Sequence, residues 1–404
     1  MVTAPATLRA LLLENVDERG VRLLQGAGWE VSTWPRSLTE NDLLQQLPGV
    51  QVLGIRSKTR LTRRVLEQAR DLVAVGAFCI GTDQIDLEAA TRQGVAVFNA
   101  PFSNTRSVVE LVLAEIIALY RRLPAKTAAM HRGVWDKSAA GSHEVRGRTL
   151  GIVGYGKIGS QLSVLAENLG LNVRFFDIQD RLAIGNARQC ACLDDLLEEA
   201  DVVTLHVDGR PGNSGLFGER EFSRMRAESL FLNLSRGFVV DHAALRRHLE
   251  SGHLSGAAID VFPTEPAGRG DEFESDLRGL ENVILTPHVG GSTEEAQRDI
   301  GEFVASKLRD YVDQGTTSLS VNFPELVFPG ARSTRRICHL HANIPGVLAK
   351  VNSILAAEQV NVDGQLLGTR GHYGYLLTDV GHSCSETVLD QLQVLEETVR
   401  LRVI

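Results

Sequence analysis

From Leu8 to about Phe98, short apolar runs take turns with stretches whose apolar residues recur at helical spacing: LRALLLEN, VRLLQGAG, VQVLGIRS, LTRRVLEQAR, LVAVGAF, LEAATRQG and VAVFNA. Strands that alternate with helices in this way predict parallel α/β units. A long apolar helix is predicted over Ser107–Leu123, ended by Pro124 and followed by a polar stretch to Gly147. The alternation resumes at TLGIVGYGKIG and runs to LTPHVGG at 285–291, where a second long helix is predicted near Thr293–Gln314. That helix carries the chain back to the first domain, which is then built from residues 1–104 and 292–325 around a second domain at 105–291.

A Pro- and Gly-containing stretch, NFPELVFPGARS at 322–333, reads as a linker. The remainder, assigned to a third domain at 332–404, follows a β-α-β-β-α-β order. Its first helix places Val347, Leu348, Val351, Ile354 and Leu355 on one face, the pattern of a helix that covers a sheet. The predicted fold class is therefore α/β, with two Rossmann-like doubly wound parallel-sheet domains and a small C-terminal βαββαβ domain.

Composition agrees with an ordinary folded protein: 404 residues exceed what one core usually organises, with 43% hydrophobic and 23% charged residues. A net charge of -8 argues against nucleic acid or a membrane surface as partner, because both are anionic. The five cysteines, Cys79, Cys190, Cys192, Cys338 and Cys384, form neither a disulfide framework nor a Cys-x-x-Cys pair, which fits a reducing cytoplasm. The apolar stretch near the N-terminus is too short for a signal peptide or a membrane span, and no other segment approaches spanning length.

Chemistry enters with Gly154-Tyr-Gly156-Lys-Ile-Gly159, which stands between the apolar run Leu150–Val153 and a helical pattern, with a further strand, NVRFFD, ending in Asp177. Within one βαβ unit this is a dinucleotide fingerprint. Gly154 permits the tight turn, Gly156 lets the backbone approach a pyrophosphate, Gly159 lets the helix lie close to the strand, and the helix N-terminus faces the anion. Asp177, about 20 residues beyond the glycines, is placed to accept from the adenosine ribose hydroxyls and to oppose a 2′-phosphate, which predicts NAD over NADP.

Downstream, three polar residues each close an apolar run: Arg236 in LFLNLSRG, Glu265 in AAIDVFPTEP and His288 in VILTPHVGG. In open α/β sheets the carboxyl ends of strands are where ligands bind. Oxidation of a 2-hydroxy acid needs such a set. Hydride leaves C2 while an imidazole, with an unperturbed pKa of about 6.5, takes the hydroxyl proton. A carboxylate beside it orients the ring and stabilises its protonated form. An Arg fork holds the substrate carboxylate.

SRG with AAIDVFPTEP and LTPHVGG, behind GYGKIG, resembles the D-isomer specific 2-hydroxyacid dehydrogenase family over nearly all of residues 8–325. GIRSKT, AVGAFCIGTDQIDL, FNAPFSNTRSVVEL and HRGVWDK are similar to its phosphoglycerate-oxidising bacterial branch, which carries a C-terminal ACT domain. The resemblance implies that 1–104 with 292–325 bind substrate, that 105–291 bind NAD, and that 332–404 are an ACT regulatory domain. It implies Arg236 as carboxylate binder, Glu265 as partner acid and His288 as acid-base. Lys157, Ile158 and Asp177 are implied to contact NAD, with Leu234, Ser235, Arg236, Asp260, His288, Val289, Gly290 and Gly291 around the nicotinamide.

For the substrate, the resemblance implies Arg56 and Lys58 as phosphate binders, although Lys lacks the bidentate fork of the Arg familiar at that position. It also implies backbone at Val75 and Gly76 on the substrate carboxylate, and Trp135 and Lys137 near the site of a neighbouring subunit. In the C-terminal domain it implies His341, Asn343 and Asn361 as serine binders, since an amide can donate to a carboxylate and accept from an ammonium. His339 and His341 lack a third ligand of convincing spacing, so no metal is expected. The implied function is NAD-dependent oxidation of 3-phospho-D-glycerate to 3-phosphooxypyruvate, the first step of L-serine synthesis, by a homotetramer under serine feedback. A broader hydroxyacid dehydrogenase acting on 2-oxoglutarate, glycerate or hydroxypyruvate, and a non-catalytic NAD-sensing corepressor, are the other readings of the same residues.

Overall fold

A computed structural model describes residues 7–266, 270–328, 335–381 and 385–404, so Cys384 and the second part of the linker read at 322–333 lie outside the described residues. The chain divides into two compact units, Met1–Ser103 with Gln297–Ile404, and Asn104–Ala296.

In the first unit β1 (Arg9–Leu13), β2 (Glu30–Trp34), β3 (Val52–Ile55), β4 (Ala74–Ala77) and β5 (Ala96–Asn99) form a parallel sheet in the order β2-β1-β3-β4-β5. Both faces are covered, which is why the strands read as unbroken apolar runs. Ala10 and Leu12 of β1 enter one core cluster while Leu11 and Leu13 enter another, the two-residue alternation of a pleated strand. The apolar pattern overlooks β2, whose sequence EVSTW is exposed or half-buried throughout. As an edge strand that pairs, among the described residues, with β1 alone, it has little surface to bury.

The second unit carries β6 (Thr149–Val153), β7 (Asn172–Phe176), β8 (Arg188–Gln189), β9 (Val202–Leu205), β10 (Ser229–Asn233), β11 (Leu254–Ile259) and β12 (Val283–Leu285). All pair in parallel, in the order β12-β11-β10-β9-β6-β7-β8. The winding direction reverses between β6 and β9, so the turn after β6 opens at the switch point where such sheets bind nucleotides. The predicted long helix is Thr105–Tyr120, and Pro124 opens a second helix, Leu123–His131, rather than ending the helical region. A proline in the first turn lacks only an N–H that has no helical partner there anyway.

The C-terminal part of the first unit folds as β13 (Arg335–Ala342), helix Val347–Ala357, β14 (Val362–Arg370), β15 (Tyr373–Val380), helix Glu386–Gln393 and β16 (Thr398–Val403). The sheet is antiparallel, in the order β14-β15-β13-β16. Val347, Val351 and Leu355 are buried as expected, whereas Leu348 lies at the exposed margin of the helix. The opposite face of this sheet joins the core of the first: Leu340, Tyr375 and Leu377 meet Leu308, Tyr311 and Phe323 of the same unit. Arg400 of β16 donates to the carbonyls of Leu72 and Gln93, at 2.5 and 3.1 Å. Among the described residues no helix is long and apolar enough to cross a membrane.

Candidate active site

Each glycine of the turn after β6 does what its position requires. Gly154 has φ +93°, and a Cβ there would strike the backbone of His206. Gly159, in the helix Lys157–Asn168, would press a Cβ into the carbonyl oxygen of Gly154. Beside Gly156 there is open space. The helix begins immediately after it, so the positive end of the helix lies at this open side of the turn. Lys157 is exposed at the first helical position, and Ile158 packs half-buried behind it. At the end of β7 Asp177 is fixed beside this turn, accepting the N–H of Tyr155 and of Gln179, both at 2.9 Å. These residues fit a dinucleotide.

On the same sheet the ends of β10, β11 and β12 carry the remaining groups. Asn233 organises the exit of β10: its Oδ1 accepts the N–H and hydroxyl of Ser235, and its Nδ2 donates to the Arg236 carbonyl at 3.0 Å. Leu234 and Ser235 are buried, and Arg236 is half-buried, its Nη1 donating to the Ser235 carbonyl at 2.9 Å. Asp260, 1% exposed, follows β11 and accepts the Thr286 hydroxyl at 2.6 Å and the N–H groups of Val289 and Gly290 at 2.8 Å. The turn between those donors holds His288 in the left-handed region, at φ +54°.

His288 Nδ1 lies 3.0 and 2.9 Å from the two carboxylate oxygens of Glu265, and Glu265 Oε1 also accepts the N–H of Phe262 at 3.2 Å. The Glu265 hydrogen bond raises the imidazole above its ordinary pKa against the opposing effect of burial. Burial pushes the Glu265 carboxyl up, but the hydrogen bond and charge of His288 prevail and bring it below the usual range. The Arg236 charge is felt by both partners. The ring thus has one nitrogen committed to a carboxylate and is set to exchange a proton through the other.

The sequence profile of the D-isomer specific 2-hydroxyacid dehydrogenase NAD binding domain matches residues 113–290, and that of an AHAS small subunit-like ACT domain matches 337–400. The D-3-phosphoglycerate dehydrogenase of Haemophilus influenzae is 47% identical over 398 residues, covering 98% of this chain and 97% of the relative. The chain belongs to the D-3-phosphoglycerate dehydrogenase family. D-3-phosphoglycerate dehydrogenase 1 of Saccharomyces cerevisiae is 44% identical over 403 residues, covering 97% of this chain and 86% of the relative. A crystal structure of the TT0316 protein from Thermus thermophilus superposes with a TM-score of 0.70 at 28% identity, covering 78% of this chain and 100% of that one. As a member of this family of oxidoreductases, the chain is an NAD-dependent dehydrogenase.

Arg56 and Lys58 follow β3, where Glu14, at φ +66° beyond β1, accepts the N–H of Lys58 at 3.1 Å and of Thr59 at 2.8 Å. Arg56 donates to the Glu14 carbonyl at 3.3 Å. Nothing in the spacing of GIRSKT points to Glu14. Val75 and Gly76, expected on the substrate carboxylate, lie inside β4, with β3 on one side and β5 on the other. The segment that β4 delivers to its carboxyl end is 78–81. Trp135 is 73% exposed, and Lys137 is exposed beside it.

His341 and Asn343 stand at one end of the C-terminal sheet. His341 is buried, its Nδ1 on the Ala342 carbonyl, and Asn343 donates to the Gly371 carbonyl at 3.1 Å. Asn361 precedes β14 at the other end: the register runs Val362 to Val380 to Arg335 there, and Thr369 to Gly374 to His341 at the far end. At about 3.4 Å per residue this separates Asn361 from His341 by about 20 Å within one chain, so these three residues are not brought together.

Two buried groups escape motif reading, His206 against the Gly154 turn and Glu115 within reach of the Asp260 charge. His206 closes the apolar run VVTLH, shares a hydrogen bond with Thr204 Oγ1 at 3.0 Å, and is pushed down to about 3 by burial, which keeps it neutral. Glu115 of the helix Thr105–Tyr120 is 3% exposed; its carboxyl oxygens have no hydrogen-bond partner among the described residues, and burial with the charge of Asp260 pushes it up to about 8.

Proposed function

We propose that this chain oxidises 3-phospho-D-glycerate to 3-phosphooxypyruvate with NAD, the entry step of L-serine synthesis, in the cytoplasm. The His288–Glu265 pair, held at 2.9 Å at the strand ends of the sheet that carries the glycine turn, carries the reading. Gly154, Gly156, Lys157, Ile158, Gly159 and Asp177 hold the cofactor, with Leu234, Ser235, Asp260 and the turn 288–291 about its nicotinamide. When bound, NAD accepts the hydride that leaves C2. His288 takes the hydroxyl proton as the carbonyl forms, and Glu265 stabilises the resulting imidazolium. Arg236 pairs with the substrate carboxylate, and Arg56 and Lys58 take its phosphate.

We further propose a homotetramer regulated by serine. The helix Leu123–His131 buries none of its residues, and Leu123, Met130, Val134 and Trp135 are between 46% and 73% exposed, an apolar surface suited to a second copy, with Trp135 and Lys137 reaching the neighbour's site. Among the described residues β14 pairs on one side only. Antiparallel pairing of two β14 edges sets Asn361 of one chain beside His341 and Asn343 of the other, and serine binds between them.

The test is a comparison of initial rates with phosphorylated and unphosphorylated D-glycerate for the full chain and for R56A. The expected result is a preference for the phosphorylated substrate, with its KM raised roughly tenfold or more in R56A, the effect of removing one charge-assisted hydrogen bond to the phosphate. Equal rates with both substrates would overturn the substrate assignment.

A further inference from the structure

The geometry points to Arg181 as the residue that sets how far this enzyme discriminates between NAD(H) and its 2′-phosphorylated counterpart, making that discrimination weaker than Asp177 alone would make it. The inference rests on the proposed function, in which Asp177 receives the adenosine ribose hydroxyls.

A lone carboxylate in this position accepts from the ribose and repels a 2′-phosphate. Here it is not alone. Oδ1 accepts the Gln179 N–H, while Oδ2 accepts the Tyr155 N–H and faces Arg181 Nε at 3.4 Å. With two lone-pair directions on each oxygen, Oδ2 is filled and Oδ1 keeps one direction for a ribose hydroxyl. The loop bearing Arg181 is tied down at its far end, where Ile184 N–H meets the Tyr155 hydroxyl at 3.3 Å and Asn186 N–H meets Glu167 at 3.0 Å. Between those ties Ile178, Asp180 and Leu182 are exposed. The Arg181 side chain is 40% exposed against 9% for Asp177, so the cation can move and the anion cannot.

The two ligands act on this pair in opposite senses. A ribose with a free 2′-hydroxyl competes with the guanidinium for Oδ2, and the half-exposed Arg181 side chain can swing aside into solvent. A 2′-phosphate instead arrives where a guanidinium already stands, and Arg can grip its oxygens with two parallel N–H bonds while compensating Asp177. Arg210 stands near the same carboxylate but adds little net charge there. Its fork is committed to Asp208, at 2.7 and 2.5 Å, but it is close enough to Asp177 to feel that charge.

Calorimetric titration of NADH and NADPH into the full-length protein, R181A and D177N tests this. The wild type is expected to bind NADPH within about a hundredfold of NADH, and R181A to raise the ratio of the two Kd values roughly tenfold, because the 2′-phosphate no longer meets a guanidinium. An unchanged ratio in R181A overturns the inference, as does wild-type NADPH binding more than a thousandfold weaker than NADH. D177N separates the two layers: weaker NADH binding in D177N upholds the ribose reading whatever Arg181 does, and undiminished NADH binding overturns that reading and this inference together.

Discussion

The Asp260 carboxylate accepts the backbone N–H of Gly290 at 2.8 Å, and on its other oxygen that of Val289, also at 2.8 Å. Those N–H groups directly follow His288, whose left-handed backbone conformation costs an ordinary residue about 1 kcal/mol or more. A buried anion beyond the next strand thus holds the imidazole in its strained turn. In D260N an amide N–H₂ must face a backbone N–H, and an unsatisfied buried donor costs about 1–3 kcal/mol. The expected result is a melting temperature below that of the wild type and a kcat at least tenfold lower, read by thermal denaturation and steady-state kinetics. Wild-type kcat in a fully folded D260N protein would show that the turn holds itself.

Glu265 makes a pH prediction with a definite sign. It raises His288 above its ordinary pKa, and oxidation needs the neutral ring, so kcat/KM for oxidation falls as pH drops through that raised value. Glu265→Gln removes the charge that does most to raise the ring, leaving burial and the Arg236 charge opposed only by the Asp260 charge. The acid limb then moves to lower pH while the maximal rate falls, because the imidazolium has lost its partner. A pH–rate profile of the variant whose limb stays in place, or moves upward, contradicts the pairing.

The glycine turn separates binding from folding. A methyl at Gly156 meets open space in the protein, whereas one at Gly159 meets the Gly154 carbonyl and the Ile152 side chain. Gly156→Ala is expected to keep the wild-type melting temperature and lose NADH affinity by tenfold or more, because the methyl occupies the approach of the pyrophosphate. Gly159→Ala is expected to melt lower by itself. Titration calorimetry and thermal scans on both variants decide it; tight NADH binding to G156A removes the phosphate from that gap.

What the sequence made legible follows the chain's own contiguity. Arg236, Glu265 and His288 each end a segment whose apolar run announces a buried parallel strand, so strand, turn and functional group could be read in one window. Glu14 could not. It acts on Lys58 and Thr59 from a strand end far away in sequence, and only the pairing of β1 with β3 brings it there. The run that holds Val75 and Gly76 was legible as a strand, but its central place in the ladder, between β3 and β5, was not. For Asn361, sequence alone could not show that a sheet's length separates it from His341 within one chain.

Glu115 gives a stability prediction. Its folded pKa of about 8 lies above the ordinary 4.5, so between those values the folded protein holds a proton that the unfolded chain releases. Folding stability from this group therefore declines as pH rises from about 4.5 to about 8. Glu115→Gln carries no such proton. Relative to wild type, the variant is expected to gain melting temperature as pH is raised from 5 to 8. A difference that stays constant over that range would mean that Glu115 is ionised in the folded protein.

The placement of the effector residues predicts complementation between damaged chains. Neither H341A nor N361A homo-oligomers hold an intact site if serine binds between two copies. In a mixed pair, the chain lacking Asn361 still offers His341 and Asn343, and the chain lacking His341 still offers Asn361, so one of the two sites is whole. Co-expressed H341A and N361A chains, purified through two different tags, are expected to bind serine at about half the wild-type stoichiometry by calorimetry, while each variant alone binds none. Serine bound by either homo-oligomer would remove the missing side chain from the site, and a mixed pair that binds no serine would break the argument from the β14 edge, because His341 and Asn361 lie at opposite ends of the sheet within one chain.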